Sequence, residues 1–287
     1  MALRPNPTLR QRRLGSELRR MREQAGLGGS ELARRLGISP AQMTQMEQAR
    51  IGVSPERLRM VASACGCSNG PLIDALAHMA SERGKGWWEE YRGVLTVDFL
   101  EVAELEAHAE GLTFCTTAYI PGLLQTRAYA SAVFARLFPP LPPQEIETRT
   151  EFRIRRQELV RSGATPLRTF IHEAALRMQF GGPSVLTGQL QALLDDSEQP
   201  GISVRIVPFA VDTFPGAGEN LTFASGPVPE LDTVEVDVSQ GALFLESPAD
   251  LANHRAIFSR LDTTALGERE SREFIRSIMK EAKSPNA

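Results

Sequence analysis

Along the first 85 residues, apolar positions recur at helical spacing in short bursts, and the bursts are separated by Gly, Ser or Asn. Leu14, Leu18 and Met21 form an i, i+4, i+7 stripe, which predicts a helix over 14–25 that Gly26 stops. Leu32, Ala33 and Leu36 predict a second helix over 30–36. Leu58, Val61 and Ala62 predict another over 55–65, capped by Ser54 with Pro55 at its first position. A last one runs over 71–82 behind Asn69. Between the second and these later helices lies Gly37–Arg50. Gly37 suits the positive φ that closes a helix, and Ser39 is a good N-cap. Pro40 stands at the first helical position, where its missing N–H costs nothing, and Gln42 completes a capping box. Ile38 and Met43 fit a hydrophobic staple across the cap, and Met43 and Met46 point inward together. The expectation is an all-α five-helix domain over 1–83, with residues 1–8 disordered.

After residue 86 the pattern changes. Arg83-Gly84-Lys85-Gly86 reads as a linker. Helical spacing predicts helices over 97–112, 129–137, 144–161, 184–196, 248–261 and 267–282. Pro139, Pro140, Pro142 and Pro143 form a stiff surface connection. Segments 114–119 and 167–172 read as strands. Period-two alternation over 202–207, 221–224, 234–238 and 243–246, with Gly and Pro between, is the pattern of antiparallel strands. Residues 87–287 therefore read as an α+β domain, with a mainly antiparallel sheet of four to six strands covered by helices.

Charge sharpens this division. The chain has 287 residues and a formal net charge of −3. Residues 1–85 hold 14 Lys and Arg against 7 Asp and Glu, a balance of +7, and the other 202 hold 18 against 28, a balance of −10. A basic first third suggests that this part meets a polyanion, although a basic solvated face accounts for +7 equally well. No apolar run approaches the roughly 18 residues needed to span a membrane, and no signal peptide is evident. The three cysteines, Cys65, Cys67 and Cys115, include no CxxC pair, which points to reduced thiols in a cytoplasmic protein. Four histidines, His78, His108, His172 and His254, accompany no HExxH, GxSxG or Walker pattern. Glu104 and His108 share a helix face without a third ligand, and 216–220 reads as a tight turn rather than a phosphate loop. The expectation is no metal, no cofactor and no enzyme.

The predicted helix over 39–48 carries the candidate chemistry. Ala41, Gln42, Thr44, Gln45 and Gln48 face outward and are neutral. Amides can pair bidentately with adenine, and small apolar groups can meet the thymine methyl. Leu18, Arg22, Gly26-Leu27, Glu31-Leu32-Ala33, Leu36-Gly37-Ile38-Ser39, Met43 and Met46-Glu47 together resemble the Xre or lambda-repressor-type helix-turn-helix family. The resemblance implies that the helix after Ser39 enters the major groove while the one before it crosses the backbone. It also implies a structural ion pair between Arg22 and Glu47. Base reading would fall on Gln42, Thr44 and Gln45, with Ser39, Pro40 and Ala41 beside them. Phosphate contacts would fall on Arg50, the Gly29 amide, Arg34, and Arg12 and Arg13. Two departures stand out: Pro40 and Ala41 where the family often has glutamines, and Gly28 and Gly29 where it often has Thr and Gln.

The remainder also resembles a family. Gly86-Trp87-Trp88, Glu104-Leu105-Glu106-Ala107, Ile120-Pro121-Gly122-Leu123-Leu124-Gln125-Thr126, Arg153-Ile154-Arg155-Arg156-Gln157, His172-Glu173-Ala174-Ala175-Leu176 and Gly181-Gly182-Pro183 are similar to the actinobacterial Scr/WhiJ-like regulators. Those join an Xre-type head to a C-terminal domain of unknown function. The resemblance implies an antitoxin-like or developmental role and a small partner protein encoded by a neighbouring gene. The expected function is a sequence-specific transcriptional regulator that binds double-stranded DNA as a homodimer, with half-sites roughly 34 Å apart. Its second domain would dimerise and receive a protein or small-molecule signal, through a region containing Trp87, Trp88, Tyr91, Glu106, Tyr119, Gln125 and Tyr129. The alternative is a docking module that sequesters a small partner protein without operator-specific DNA binding.

Overall fold

Local capping decides where the first helices begin. Thr8 accepts a hydrogen bond from the Gln11 amide, and Gln11 Oε1 accepts one back from Thr8 N–H. This capping box starts α1 (Leu9–Gln24) well ahead of the predicted Leu14. Then follow α2 (Gly29–Arg35), α3 (Pro40–Glu47), α4 (Pro55–Ala64) and α5 (Gly70–Ser81). Leu18, Leu32, Met43, Leu58, Val61 and Leu76 are fully enclosed at their centre. The computed structural model describes residues 4–82, 84–216, 218–238 and 241–283, without the side chains of 282 and 283. Residues 1–3, Arg83 of the predicted linker and Ala217 of the predicted turn lie outside the described residues.

Two expectations about this region are corrected. Residues 4–8, expected to be disordered, are held in place: Arg4 N–H donates to the Arg50 carbonyl at 2.8 Å and Arg12 to the Pro7 carbonyl at 3.1 Å. The compact unit also does not end near residue 83. It runs on through a 3₁₀ turn at Trp87–Tyr91 and into α6 (Val97–Ala107) as far as Leu105, and it includes Pro227–Leu231. Side-chain pairing explains the extension. Arg12 grips Glu101 with two hydrogen bonds of 2.7 and 2.8 Å, and Arg10 N–H reaches Glu104. Leu231 and Val228 join the helical core, while the Glu230 carbonyl accepts from Arg13 at 2.6 Å.

The second unit comprises residues 106–226 and 232–287. Its elements are β1 (Gly111–Thr116), α7 (Arg127–Phe134), α8 (Pro143–Arg156), α9 (Glu158–Arg161), β2 (Leu167–His172), α10 (Glu173–Arg177), α11 (Pro183–Asp196), β3 (Ile202–Val207), β4 (Asn220–Ser225), β5 (Thr233–Val238), β6 (Gly241–Leu245), α12 (Pro248–Thr264) and α13 (Glu268–Lys283). The strands form one six-stranded sheet in the order β3-β2-β1-β4-β5-β6. The half from β1 to β6 is antiparallel as expected, but β1, β2 and β3 run parallel to one another. Parallel neighbours need a crossover, and helices α7 to α9 and then α10 and α11 supply it. The expected single helix over 144–161 is broken at Gln157. Its buried amide donates to the Gly122 carbonyl at 3.0 Å and the Gln125 carbonyl at 2.7 Å.

The two faces of β4 and β5 differ. Leu221, Phe223, Val234 and Val236 pack with Leu251, Phe258 and Leu261 of α12. The opposite positions are Asn220, Thr222, Glu235 and Asp237, with Thr222 registered against Glu235. Burial pushes the Glu235 carboxyl up to about 7, with a Thr222 hydrogen bond opposing the shift. Nearby, Arg156 holds Glu106 through both carboxylate oxygens, and both side chains are almost wholly enclosed. No helix among the described residues is long and apolar enough to cross a membrane.

Candidate nucleic-acid interface

The outward face of α3 is small and neutral because the inward face does all the packing. Met43 and Met46 are buried, whereas Ser39, Pro40, Ala41, Gln42, Thr44 and Gln48 are exposed and Gln45 is half-buried. Ser39 Oγ accepts from the Gln42 amide at 3.1 Å, and Gln42 Oε1 accepts from Ser39 N–H at 3.1 Å. Ser39 Oγ also lies 3.4 Å from the same Oε1. That oxygen is thus spent on the cap, so a bidentate adenine contact by Gln42 requires the capping box to open. Thr44 directs its hydroxyl proton at the Pro40 carbonyl, 3.1 Å away, which leaves its methyl and oxygen lone pairs for a partner. Gln45 makes no side-chain hydrogen bond among the described residues, so its whole amide is available for base reading.

Two contacts set the depth and tilt of α3. Gly15 of α1 lies directly against its C-terminal turn. A Cβ at Gly15 would overlap the Glu47 carbonyl oxygen and stand 3.1 Å from the Met46 oxygen. The second contact is the expected ion pair. Arg22 Nε and Nη2 donate to the two Glu47 oxygens at 2.6 and 2.9 Å, and Nη1 donates to the Leu27 carbonyl at 3.0 Å. The side chains are only 13% and 12% exposed, so the pair is shielded from solvent. The Glu47 hydrogen bond raises the Arg22 guanidinium further above its already high range.

After α3 the buried Ala49 takes a left-handed conformation with φ 56°, alone in this among the described non-glycine residues. The turn brings Arg50 against the N-terminal segment, where its guanidinium donates to the Pro5 carbonyl at 3.3 Å. Arg50 remains exposed. Arg34 is exposed too, at 79%, with Glu31 3.8 Å away. Gly28 caps α2 with no side-chain bond, leaving the Gly29 end of that helix to its backbone groups. Arg12 and Arg13, expected among the phosphate contacts, are corrected. Arg12 is committed to Glu101, and Arg13 is only 4% exposed with Glu17 and the Glu230 carbonyl beside it.

The residues expected to form an effector region divide between the two units. Trp87, Trp88 and Tyr91 belong to the first unit, where Trp87 meets each of the other rings edge-on at 6.1 Å. Glu106, Tyr119, Gln125 and Tyr129 belong to the second. Glu106 is bound to Arg156. Gln125 donates to the Ile120 carbonyl at 2.7 Å and accepts from Arg153 at 2.8 Å. Tyr129 is fully enclosed, and both it and Tyr119 pack on Phe180. Burial pushes the Tyr129 hydroxyl up to about 12. These four hold the domain together internally.

Sequence reasoning passed over Gly15 and Ala49. The signal for Gly15 is its place in a strong helical stripe, where glycine weakens the helix unless contact demands it. Two stretches of the chain match known families. Residues 13–76 match a helix-turn-helix domain, and these residues run from α1 into α5. Residues 99–277 match the family described as a domain of unknown function, DUF5753. No curated protein and no solved structure matches the chain. The chain thus belongs to the DUF5753 family and carries a helix-turn-helix domain ahead of that region.

Proposed function

We propose that this protein is a cytoplasmic, sequence-specific transcriptional regulator and not an enzyme. It lays α3 in the major groove, with Gln45 as the principal base reader. Thr44 and the apolar face of Pro40 and Ala41 contact the thymine methyl, and Gln42 contributes once its cap bond is exchanged. Arg50, Arg34 and the Gly29 amide approach phosphates. The protein acts as a homodimer on half-sites roughly 34 Å apart. The second domain supplies dimerisation and receives a protein or small-molecule signal, in an Xre-type and antitoxin-like arrangement. The observation that supports this most directly is the neutral, outward Ala41-Thr44-Gln45 face on a helix whose other side is fixed by Gly15 and the Arg22–Glu47 pair.

The test is selection from a random duplex library, followed by footprinting of the enriched sequence over a range of salt. A paired footprint one helical turn apart, with affinity falling steeply as salt rises, supports the reading. Salt-dependent binding with no sequence preference refutes it. If that result accompanies tight one-to-one calorimetric binding of the neighbouring gene's product, the docking-module reading replaces it.

A further inference from the structure

We propose that the second domain binds a small organic acid, whose carboxylate seats on the open edge of the Arg153 guanidinium. Arg153 and Arg156 stand one turn apart on α8. Arg153 acts on Asp237 and Arg156 on Glu235, so both face the polar side of β4 and β5. A guanidinium offers two parallel N–H groups, from Nε and Nη2, and this edge fits the two oxygens of a carboxylate. Elsewhere in the chain the edge is used in that way. Arg22 turns Nε and Nη2 to Glu47, Arg92 turns them to Glu89, and Arg156 turns them to Glu106. Arg153 differs. Its Nη1 donates to Gln125 Oε1 at 2.8 Å, and its Nε is enclosed with no acceptor. Its Nη2 is neither bonded nor enclosed among the described residues.

Arg153 also lacks a counter-ion in contact with it. It makes no ion pair among the described residues. Glu106 acts on it through space but is held by Arg156, and Asp237 accepts a hydrogen bond from Asn220 instead. One face of the guanidinium lies on the Phe134 ring, 4.2 Å from its centroid. Burial, with Arg156 and Arg149 adding to it, pushes the guanidinium down to about 9. A cation held in this way is completed by an anion. Thr116 supplies a second orphan on the same side of the sheet. It is 7% exposed, and its hydroxyl has no partner. Phe114 is registered with Thr222 and Thr222 with Glu235, so Thr116 falls in the next row, with Asn220 and Asp237. That row is closed at Thr116 and reaches solvent at the exposed Asp237. Gly122 borders Arg153 from the turn before α7. The three atoms nearest to a Cβ built there all belong to Arg153, with Nε at 3.5 Å, so glycine keeps a side chain away from this flank. The assignment goes beyond the DNA-binding reading and does not depend on it.

The full chain, carrying isotope-labelled arginine, is titrated with sodium acetate and separately with sodium chloride and acetamide, at equal ionic strength for the two salts. Nuclear magnetic resonance follows the Arg153 Nε–H signal, identified by its absence from Arg153→Lys or Arg153→Gln. A carboxylate on the edge moves that proton downfield. The expected result is a saturable shift with acetate, at a midpoint at least about tenfold lower than with chloride or acetamide. No saturable shift with acetate, or midpoints equal to those of chloride or acetamide, overturns the assignment. Thermal melting gives an independent reading. Saturating acetate is expected to raise Tm above its value in chloride in the parent. The rise is expected to fall by at least about half in Arg153→Lys, which keeps the charge and loses the paired N–H edge. No rise in the parent, or an equal rise in both, overturns the seat on Arg153. Footprinting decides the DNA reading separately, so either can fail without the other.

Discussion

Gly15→Ala is the substitution on which intuition and structure disagree most. In an exposed helix interior, replacing glycine with alanine stabilises by about 1 kcal/mol, because glycine has the larger conformational entropy to lose. Gly15 is buried, however, and the added methyl would overlap the Glu47 carbonyl oxygen, with the Glu47 carbon 3.0 Å and the Met46 oxygen 3.1 Å away. These are backbone atoms, which cannot rotate aside as a side-chain tip can. Relief requires α1 and α3 to part by on the order of 1 Å, which loosens the Met43 and Met46 packing and stretches the Arg22–Glu47 bonds. Overpacking of this kind costs roughly 1–3 kcal/mol, and rigid neighbours place it near the upper end. The clash therefore outweighs the propensity gain, and the net destabilisation is about 2 kcal/mol. Thermal melting of the full chain followed by circular dichroism should show Tm lower by roughly 4–16 °C, the smaller value if both units melt together. Gly188→Ala is the control. It lies exposed in α11 with open space at its Cβ, and it should raise stability by about 0.5–1 kcal/mol. If Gly15→Ala melts at or above the parent, the close approach of α1 to α3 is wrong.

Glu47→Ala should cost about 3–5 kcal/mol, because it strands a shielded guanidinium, and a melt like the parent's would remove the structural role of the Arg22–Glu47 pair. Gln45→Ala should relax one operator position by about 1–3 kcal/mol in quantitative footprinting, and unchanged preference there would put the base reader elsewhere. Arg50→Ala should leave sequence preference intact and reduce the slope of log affinity against log salt by about 1. Glu235 carries a pH prediction. Its carboxyl is raised from 4.5 to about 7 by burial, assisted by Asp237 and Glu106 and opposed by Thr222 and Arg156. The folded state holds a proton that the unfolded chain has lost, so the stabilisation is complete below about pH 4.5 and disappears as pH rises through 7. Urea unfolding at pH 5 and pH 8 should differ by on the order of 3 kcal/mol more in the parent than in Glu235→Gln, and identical differences would refute the burial argument.

What could be read in advance was whatever local chemistry decides. The capping box at Ser39, the proline beside it and the inward methionines lie within eight residues, and α3 forms as they dictate. The same holds for strands β2 and β3, whose limits are those expected over 167–172 and 202–207. The parallel half of the sheet was less legible, because alternation reveals that a strand exists but not the direction of its neighbour. The helical segments between residues 116 and 202 were the available cue, since a chain that crosses back through helices returns parallel. Gln157 looked like an ordinary helical glutamine, and only the Gly122 and Gln125 carbonyls above it explain the break between α8 and α9. Arg12 and Arg13 show the limit for charges. One cation beside another reads as a surface meant for phosphate, whereas partners some 90 and 217 positions away had already claimed both.

Those distant partners also govern the order in which the molecule can be made. Arg13 and Asn69 both bind Glu230, and Leu231 fills part of the helical core. A ribosome has therefore released every helix from α1 to α6 long before the segment that completes their core exists. At about 5–20 residues per second, the nascent head waits on the order of ten seconds with that part of its core open. During this interval its affinity for DNA, and its exposure to chaperones and proteases, are those of an unfinished domain. Synthesis of residues 227–231 then acts as a checkpoint, so that premature termination anywhere upstream yields a head whose core is incomplete.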